Sequence, residues 1–389
     1  MKRYPAFDPP EYLDWAPDPR ILSEYAARIV RDPDRAAVVR ELDRERLLRL
    51  YRDLLRTRLH DIALKRWVRT GVISKAWLGT GEEAATVGAV AALEPGRDVV
   101  SPMIRNAGAL HMMGMPLADM FRGYLATPDS PSGGRDLHIG SLPLGIIQPI
   151  SHMGTNVTVI AGAALAFRMR GEARVALTWV GDGASRTGES HEGLNLAAAQ
   201  KLPAVFVLQN NQVALGTATT QHTAADLRRL GESYGMPDYV CDGNNVLDVL
   251  AATTLAVRRC REGGGPAMVV AETFRMGGHA THDEREAREL FPEEVFAYWG
   301  RRDPIGVFEA FLMEDPEATD TRDSEGLRVP GGPVTAGELR AVEEEVLQEM
   351  EGAAEEALAS RNHEPDPEAA LYPGVSEGGV LTGLERRPV

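Results

Sequence analysis

The sequence has almost no cysteine, and its two cysteines, Cys241 and Cys260, are too few for a disulfide framework. We therefore expect both to be reduced and structural. No apolar run approaches the length of about eighteen residues that a membrane-spanning helix needs. Residues 1–20 lack the apolar core of a signal peptide and are too acidic for a typical transit peptide, so we expect a cytoplasmic protein.

Basic residues are also in the minority. Lysine and arginine together number 42, against 57 aspartate and glutamate residues, which gives a formal net charge of −15. The sequence has no long cluster of lysine and arginine residues, which argues against a nucleic-acid-binding protein. Because the protein has a net negative charge, a bound cation would help it to bind a polyanionic ligand.

Apolar patterning predicts an α/β fold. Near-continuous apolar runs are typical of buried parallel strands, and they lie at residues 99–100, 175–180, 204–208 and 267–274. Helical patterns occur around and between them, at residues 21–31, 42–69, 81–93, 158–170, 246–261 and 333–361, with another helix starting at Ile104. This alternation predicts a parallel sheet flanked by helices on both faces.

The same pattern suggests a division of the chain into three parts. They are an N-terminal arm (1–44), an α/β domain (45–330) and a C-terminal helix with a tail (331–389). Two long loops, 127–150 and 280–292, lie inside the α/β domain, and such loops are usually functional or mobile. The C-terminal helix has a predicted N-cap at Thr335, with Glu338 three residues later as in a capping box.

Two polar turns follow two of the predicted strands. The triplet Gly181-Asp182-Gly183 follows one strand, and the pair Asn210-Asn211 follows the next. A right-handed crossover makes these strands parallel, so both turns lie at the edge of the sheet where α/β proteins bind ligands. We therefore expect Asp182 and Asn211 to meet. One carboxylate and one amide oxygen suit Mg²⁺, which completes its shell with water and phosphate oxygens, and the glycines let backbone N–H groups approach a phosphate.

GDG, 26 intervening residues and NN form the thiamine-diphosphate signature. The surrounding sequence, over roughly residues 45–315, resembles the α subunit of the E1 component of 2-oxo acid dehydrogenase complexes, of the pyruvate or branched-chain type. The resemblance implies an α/β thiamine-diphosphate-binding fold of the diphosphate-binding type, with thiamine diphosphate and Mg²⁺ as cofactors. It implies that the metal ligands are Asp182, Asn211 and the backbone carbonyl of Val213.

The resemblance also implies which residues bind the diphosphate. The family has Tyr-Arg where this chain has Ile104-Arg105. The replacement of the tyrosine removes one hydroxyl contact but keeps the arginine, whose guanidinium suits two phosphate oxygens. The cofactor contacts implied on this side are Arg105, Gly181, Asp182, Gly183, Ala184, Asn211 and His279.

The segment Ser151-His152-Met153-Gly154 aligns with the family segment that receives the aminopyrimidine ring. The resemblance implies that Ser151, Met153 and Gly154 contact the cofactor, with Met153 as the bulky apolar side chain beneath the bent molecule. The alternative for Met153 is ordinary core packing. Two histidines, His138 near the entrance and His191 on the crossover helix, are expected to be structural or interfacial.

The segment Phe274-Arg275-Met276-Gly277-Gly278-His279-Ala280 matches the family's active-site histidine segment. The match implies that His279 is catalytic and contacts both the diphosphate and the reacting centre. An imidazole with an ordinary pKa of about 6.5 can donate a hydrogen bond to a substrate oxygen. Ala280 replaces a serine that is phosphorylated in animal enzymes, so we expect no such switch. We expect His282 to be solvated and Asp283 to order the loop.

The resemblance implies oxidative decarboxylation of a 2-oxo acid, with acyl transfer to a lipoyl group on an E2 protein. Enzymes of this type need a glutamate at the pyrimidine, which a β subunit supplies, and this chain shows no second sheet domain that replaces it. We therefore expect activity only in an α₂β₂ heterotetramer with that subunit. The alternatives are an acetoin dehydrogenase α subunit, a non-catalytic complex subunit, and a nicotinamide oxidoreductase, whose G-x-G-x-x-G turn is missing here.

Overall fold

The computed structural model describes residues 15–314 and 327–367. Five parallel strands form one sheet in the order β1-β2-β3-β7-β6, which confirms the predicted parallel sheet. The strands are β1 (Val99–Ser101), β2 (Ala176–Gly181), β3 (Ala204–Asn210), β6 (Asp238–Asp242) and β7 (Ala267–Glu272), and a small antiparallel pair consists of β4 (Val213–Ala214) and β5 (Thr217–Ala218).

Helices alternate with the strands and extend beyond them at both ends of the described chain. They are α1 (Pro19–Val30), α2 (Pro33–Arg40), α3 (Arg44–Arg69), α4 (Glu83–Val90), α5 (Gly108–Met112), α6 (Leu117–Leu125), α7 (Thr155–Arg170), α8 (Gly188–Ala199), α9 (Thr219–His222), α10 (Val246–Arg261), α11 (Glu284–Glu289), α12 (Glu293–Arg301), α13 (Pro304–Met313) and α14 (Ala336–Ala359). Helix α10 has the bounds that the apolar pattern predicts.

Both faces of the sheet are covered, because successive side chains of each strand point to opposite sides. Leu177 and Trp179 of β2 belong to an apolar cluster that includes residues of α4, α5 and α10. Ala176 and Val180 of the same strand belong to a second cluster that includes residues of α7 and α8. The predicted helical layers on the two faces are therefore confirmed.

A third apolar cluster joins helices outside the sheet layers, chiefly α1, α2, α3, α13 and α14. Its centre is α3, where Arg58 is completely buried between two carboxylates. Arg58 bonds to Glu83 at the start of α4, and its Nη2 atom donates to Asp303, the N-cap of α13, at 2.9 Å. This fully buried ion triad fixes the turn before α4 relative to the helical layer.

The C-terminal helix begins as the sequence predicts. The Thr335 hydroxyl accepts a hydrogen bond from the Glu338 N–H at 3.2 Å, and the Glu338 carboxylate accepts one from the Thr335 N–H at 2.8 Å. These reciprocal bonds form the predicted capping box, which satisfies backbone donors at the start of α14. The helix packs against α3 and α6.

The two cysteines are free and buried, as expected. Burial raises the pKa of the Cys260 thiol to about 12, so this side chain is an uncharged core residue. A search for membrane-spanning helices over the described ranges finds none with the length and apolar character to cross a bilayer.

Two helix predictions need correction. The helix predicted to start at Ile104 begins only at Gly108, because the chain turns over residues 104–107 after it leaves β1. The segment 280–292, predicted as a charged loop, contains α11 and ends at Pro292, the N-cap of α12. Its clustered charges predict solvent exposure well but do not reveal the short turns of helix.

Two strand predictions also need correction. The strand predicted over residues 267–274 ends at Glu272, where the chain leaves the sheet edge. Strand β6 was not predicted, because its sequence DYVCD has an acidic residue at each end and lacks an apolar run. It lies at the outer edge of the sheet, where most of its side chains are only partly buried, so it does not need the composition of a central strand.

Replacing Arg58 by methionine should destabilise the fold strongly, because Glu83 and Asp303 would then be buried without a counter-ion. We expect a loss of about 3–5 kcal/mol in the free energy of unfolding, measured by denaturant titration. Arg49→Met is the matched control on the same helix, since its ion pair with Glu45 is exposed, and it should cost less than about 1 kcal/mol. Equal losses for the two variants would contradict this assignment.

Candidate active site

The candidate site lies at the edge of the sheet where β2, β3 and β7 end. The register places Gly181 opposite Gln209 and Asn210 opposite Glu272, so the chain leaves the three strands at nearly the same level. The segments after the strands are thereby brought together, as in other parallel α/β sheets that bind ligands at this edge. The residues that follow β2, β3 and β7 are, respectively, Asp182, Asn211 and the segment leading to His279.

Asp182 is 1% exposed and lies against the hairpin of β4 and β5. Gly183 makes this approach possible, because a Cβ at that position would overlap the Cβ of Ala214. The Asp182 Oδ2 atom accepts a hydrogen bond from the Thr219 hydroxyl and lies 3.2 Å from Nε2 of His222. The sequence gives no sign of these two partners, because only the path of the chain after β3 brings them to Asp182.

Asn211 is completely buried, and its Nδ2 atom donates to Oε1 of Glu82 at 3.0 Å. Its Oδ1 atom accepts a hydrogen bond of 3.3 Å from the backbone N–H of Val213. Asn210 has a different environment, since its Nδ2 atom donates to Glu272 at 3.0 Å across β3 and β7. Asn211 therefore belongs to the buried site, whereas Asn210 braces two strands of the sheet.

Glu82, in the turn before α4, is a buried acid that the sequence analysis missed. Its Oε1 atom accepts hydrogen bonds from Asn211 and from Gln209, the latter at 3.2 Å, while Oε2 has no hydrogen-bond partner among the described residues. Burial raises the pKa of Glu82, and Asp182 adds to the increase. The positive charge of Arg105, whose Nε atom lies 3.7 Å from Oε2 of Glu82, lowers this pKa. Glu82 thus lies between Arg105, which follows β1, and the turn that follows β3.

Two arginines reach the same region. Arg105 lies against the end of β2, because a Cβ on Gly181 would be only 2.9 Å from Nη2 of Arg105. Arg275, three residues past β7, is 2% exposed and donates to the Leu215 carbonyl at 2.8 Å. Nε of Arg105 and Nη1 of Arg275 are buried and have no hydrogen-bond partner within the described ranges. Buried polar atoms are normally paired, so these guanidinium groups have unused capacity for an anion.

His279 lies close enough to both arginines to be affected by their charge. Burial is the largest cause that lowers the pKa of His279, to about 4, and the positive charges of Arg105 and Arg275 contribute. The expectation of an ordinary pKa was therefore wrong, and the imidazole is neutral at neutral pH. Its Nδ1 atom is buried without a partner in the part of the chain that the structure describes. His282 is exposed, as predicted.

The loop that carries His279 is anchored by contacts within the chain. Lys65 of α3 is 7% exposed, and its Nζ atom lies 2.7 Å from Oε1 of Glu284. Thr281 donates its N–H to the Ala76 carbonyl at 2.9 Å, and its hydroxyl accepts the Ala76 N–H at 3.1 Å. Asp283 accepts a backbone N–H within the loop at 2.8 Å, which agrees with its predicted ordering role. These bonds fix the backbone on the C-terminal side of His279.

Gly154, just before α7, lies beside the turn that follows Asp182. Its φ is 85°, and a Cβ there would overlap the Thr187 hydroxyl and lie 3.3 Å from the Ala184 carbonyl oxygen, so a glycine is required. Met153 precedes it and is 51% exposed. The alternative interpretation of Met153 as a core residue is therefore wrong, and this side chain is available to a ligand or a partner.

Ser151 lies on the exposed side of the same segment. Its Oγ atom is 3.1 Å from Nε2 of His138, whose Nδ1 atom is 2.7 Å from Oδ1 of Asp136. His138 therefore has the structural role expected from the sequence, because it connects the 127–150 loop to the segment before α7. His191 of α8 is exposed and bonds to the Tyr234 hydroxyl, away from the buried charges described above.

The donors at this edge fit a divalent cation beside a polyphosphate. Among the described residues, no cluster of three or more His, Cys, Asp and Glu side chains has the geometry of a metal site. The predicted ligands form a mixed set instead, namely the Asp182 carboxylate, the Asn211 amide oxygen and the carbonyl of Val213, which is 4% exposed. Few protein ligands, all of them oxygen, suit a cation that shares its shell with phosphate. The unpartnered guanidinium and imidazole atoms supply donors for that phosphate.

The chain is similar in sequence to a known family and to proteins of that family. Residues 51–366 match the family model described as dehydrogenase E1 component. The pyruvate dehydrogenase E1 component subunit alpha of Acholeplasma laidlawii is 32% identical over 311 residues, which cover 80% of this chain and 83% of the relative. The 2-oxoisovalerate dehydrogenase subunit alpha of Bacillus subtilis is 32% identical over 310 residues, which cover 78% of this chain and 90% of the relative.

Lys65→Met should release the His279 loop, because Glu284 would lose its buried counter-ion. We expect trypsin to cleave at Arg285, whose side chain is 88% exposed, about tenfold faster or more than in the wild type. The exposed Lys201→Met is the control, and Glu284→Gln should reproduce the effect of Lys65→Met. Unchanged cleavage in both loop variants would show that the ion pair does not anchor this loop.

The neutral state of His279 predicts a definite pH dependence of stability. The unfolded chain binds a proton at this residue at about pH 6.5, whereas the folded chain binds it only near pH 4. The free energy of unfolding of the wild type should therefore fall as the pH is lowered from about 6.5 to 4. The free energy of unfolding of His279→Gln should fall less steeply over the same range. Denaturant midpoints measured across this range test the expectation, with the exposed His363→Gln as control. A slope unchanged in His279→Gln would contradict it.

Proposed function

The chain belongs to the dehydrogenase E1 component family, and on this basis we propose that it is the α subunit of a thiamine-diphosphate-dependent 2-oxo acid dehydrogenase. The reaction is oxidative decarboxylation of a 2-oxo acid, with transfer of the acyl group to a lipoyl group on an E2 protein. The relatives named above act in the pyruvate and 2-oxoisovalerate versions of this chemistry. This chain covers most of their length, so the proposal concerns a whole subunit.

One observation carries the proposal. Asp182 and Asn211, at the ends of adjacent parallel strands, share a buried region with donors that have no hydrogen-bond partner in the described chain. Those donors belong to Arg105, Arg275 and His279. A cation held by the first pair and a diphosphate held by the other three would satisfy both sets at once.

We assign the roles within the cofactor site accordingly. Mg²⁺ is bound by Asp182, Asn211 and the carbonyl of Val213. The diphosphate is bound by Arg105 and His279, to which we add Arg275 as a third donor because its Nη1 atom is buried without a hydrogen-bond partner among the described residues. The backbone of the turn at residues 181–184 contributes N–H groups, supported by the close approach that Gly183 permits. Thiamine diphosphate, when bound, supplies the electron sink for decarboxylation.

His279 is proposed to act as a neutral hydrogen-bond donor. At neutral pH its imidazole carries one N–H and one lone pair, because its pKa is lowered to about 4. It therefore orients a substrate carboxylate or carbonyl oxygen without adding a third positive charge beside Arg105 and Arg275. The anchored loop described above holds it in that position, with Lys65 and Glu284 as positioning residues.

The pyrimidine half of the cofactor is proposed to lie over Gly154, with Met153 and Ser151 at its exposed side. A β subunit completes this half and supplies the glutamate that the pyrimidine needs, in an α₂β₂ heterotetramer that also binds E2. Large apolar side chains are also exposed at other points of the described chain, which supports a partner surface. Examples are Leu142 at 78%, Met169 at 77% and Leu215 at 60% exposure.

We also propose that the chain is divided into three parts, with boundaries at residues 44/45 and 330/331, and that the protein is cytoplasmic.

Co-expression with its β subunit tests the function. The purified complex should decarboxylate pyruvate or a branched-chain 2-oxo acid, and this activity should require both thiamine diphosphate and a divalent cation. Activity on acetoin but on neither class of 2-oxo acid would favour the acetoin dehydrogenase alternative. A stable complex that binds thiamine diphosphate with no activity on any of these compounds would favour a non-catalytic subunit.

Asp182→Ala tests the site within the same complex. We expect thiamine diphosphate to bind about 100-fold more weakly or not at all, because the cation that bridges protein and diphosphate loses its carboxylate ligand. Binding is measured by calorimetry on the cofactor-depleted complex, with the exposed Asp226→Ala as control. Wild-type affinity in Asp182→Ala would show that the cation site lies elsewhere.

A further inference from the structure

The Asp182 carboxylate has a histidine neighbour that the proposed metal site does not yet use. Nε2 of His222 lies 3.2 Å from Asp182 Oδ2. The His222 side chain is 17% exposed and the Asp182 side chain is 2% exposed, so this contact is largely shielded from solvent. The Thr219 hydroxyl also donates to Oδ2 and fixes the carboxylate from another direction.

Backbone contacts that do not involve Asp182 set the backbone position of the turn that carries His222. The Thr219 N–H donates to the Gln212 carbonyl at 3.0 Å, which returns the chain to the turn after β3. The Ala218 N–H donates to Oε1 of Gln221 at 2.9 Å, which begins the single helical turn of α9. His222 ends this turn, and the contact of Nε2 with Asp182 places its imidazole beside the carboxylate.

The spacing of the two atoms suits two adjacent ligands of one cation. Ligand atoms that each lie about 2.1 Å from a divalent ion and are 3.2 Å apart enclose an angle of roughly 100° at the ion. This value lies between the octahedral and the tetrahedral angle. A cation can therefore bind Nε2 of His222 and Oδ2 of Asp182 together without a large movement of either side chain.

We propose that His222 is an additional ligand of the divalent cation and that it shifts the preference of this site toward transition metals. The inference rests on the proposed function, because it concerns the cation of the same site. Asp182, Asn211 and Val213 offer oxygen atoms alone, the donor type that Mg²⁺ prefers. An imidazole nitrogen adds affinity for Co²⁺ and Zn²⁺ and weakly for Mn²⁺, so Co²⁺ should displace Mg²⁺.

The direct test is spectroscopic and uses the complex with the β subunit, depleted of cation and reloaded with thiamine diphosphate and Mn²⁺. Pulsed electron paramagnetic resonance should show a nitrogen nucleus coupled to Mn²⁺, and the coupling should change in protein labelled with ¹⁵N-histidine. The absence of a histidine coupling would overturn the proposal. This measurement needs no substitution, so it does not depend on whether a variant folds.

A binding experiment tests the metal preference. His222→Gln should weaken Co²⁺ binding by about 10- to 100-fold and Mg²⁺ binding by less than about threefold, measured by calorimetry in the presence of thiamine diphosphate. The exposed His363→Gln is the control and should change neither. Equal losses for Co²⁺ and Mg²⁺, or no loss for either, would show that His222 is not a ligand.

Asp182→Ala separates failure of this inference from failure of the proposed function. If Mn²⁺ binding requires Asp182 but shows no histidine coupling, the cation site stands and the role of His222 is wrong. If Mn²⁺ binding in the complex is independent of Asp182, the cation site itself is wrong, and the inference is overturned with it.

Discussion

The parallel register of β2, β3 and β7 is the constraint on which the site depends. It places Gly181 opposite Gln209 and Asn210 opposite Glu272, so three polar segments leave the sheet at one level. Each segment would be an ordinary turn if it were alone. Side by side and covered by helices, they place Asp182 and Asn211 with Glu82 and two arginines in a region from which most water is excluded. In that environment each charge acts strongly on its neighbours.

Buried charges in this protein fall into two groups, and the difference indicates where ligands bind. Arg58 is completely buried, but Glu83 and Asp303 pair with it, and this triad joins helices. Arg275 forms no ion pair within the described residues, and the carboxylate nearest to Arg105, that of Glu82, lies 3.7 Å from its Nε atom. Guanidinium groups that are weakly paired or have no ion pair at a sheet edge have donors left for an anion that comes from outside.

The same edge combines fixed and open parts. The His279 loop is held by Lys65 through Glu284 and by the reciprocal bonds of Ala76 and Thr281. Met153, which flanks Gly154, is half exposed and has no such constraint from the core. The side that carries His279 is therefore prearranged within this chain, whereas the side at Met153 is open. This contrast supports the proposal that the cofactor binds at an interface with a partner subunit.

The sequence alone determined the α/β class, the strands before the GDG and NN turns, the capping box of α14 and most candidate residues. These features are local, because they depend on apolar runs, turn residues and short motifs that a chain carries without its neighbours. The tertiary structure decided that Glu82, Arg275 and His222 lie at the candidate site, that Lys65 anchors the loop beside it, and that the pKa of His279 is lowered. Those results depend on which distant segments meet and on how much water is excluded where they meet, and no local pattern specifies either.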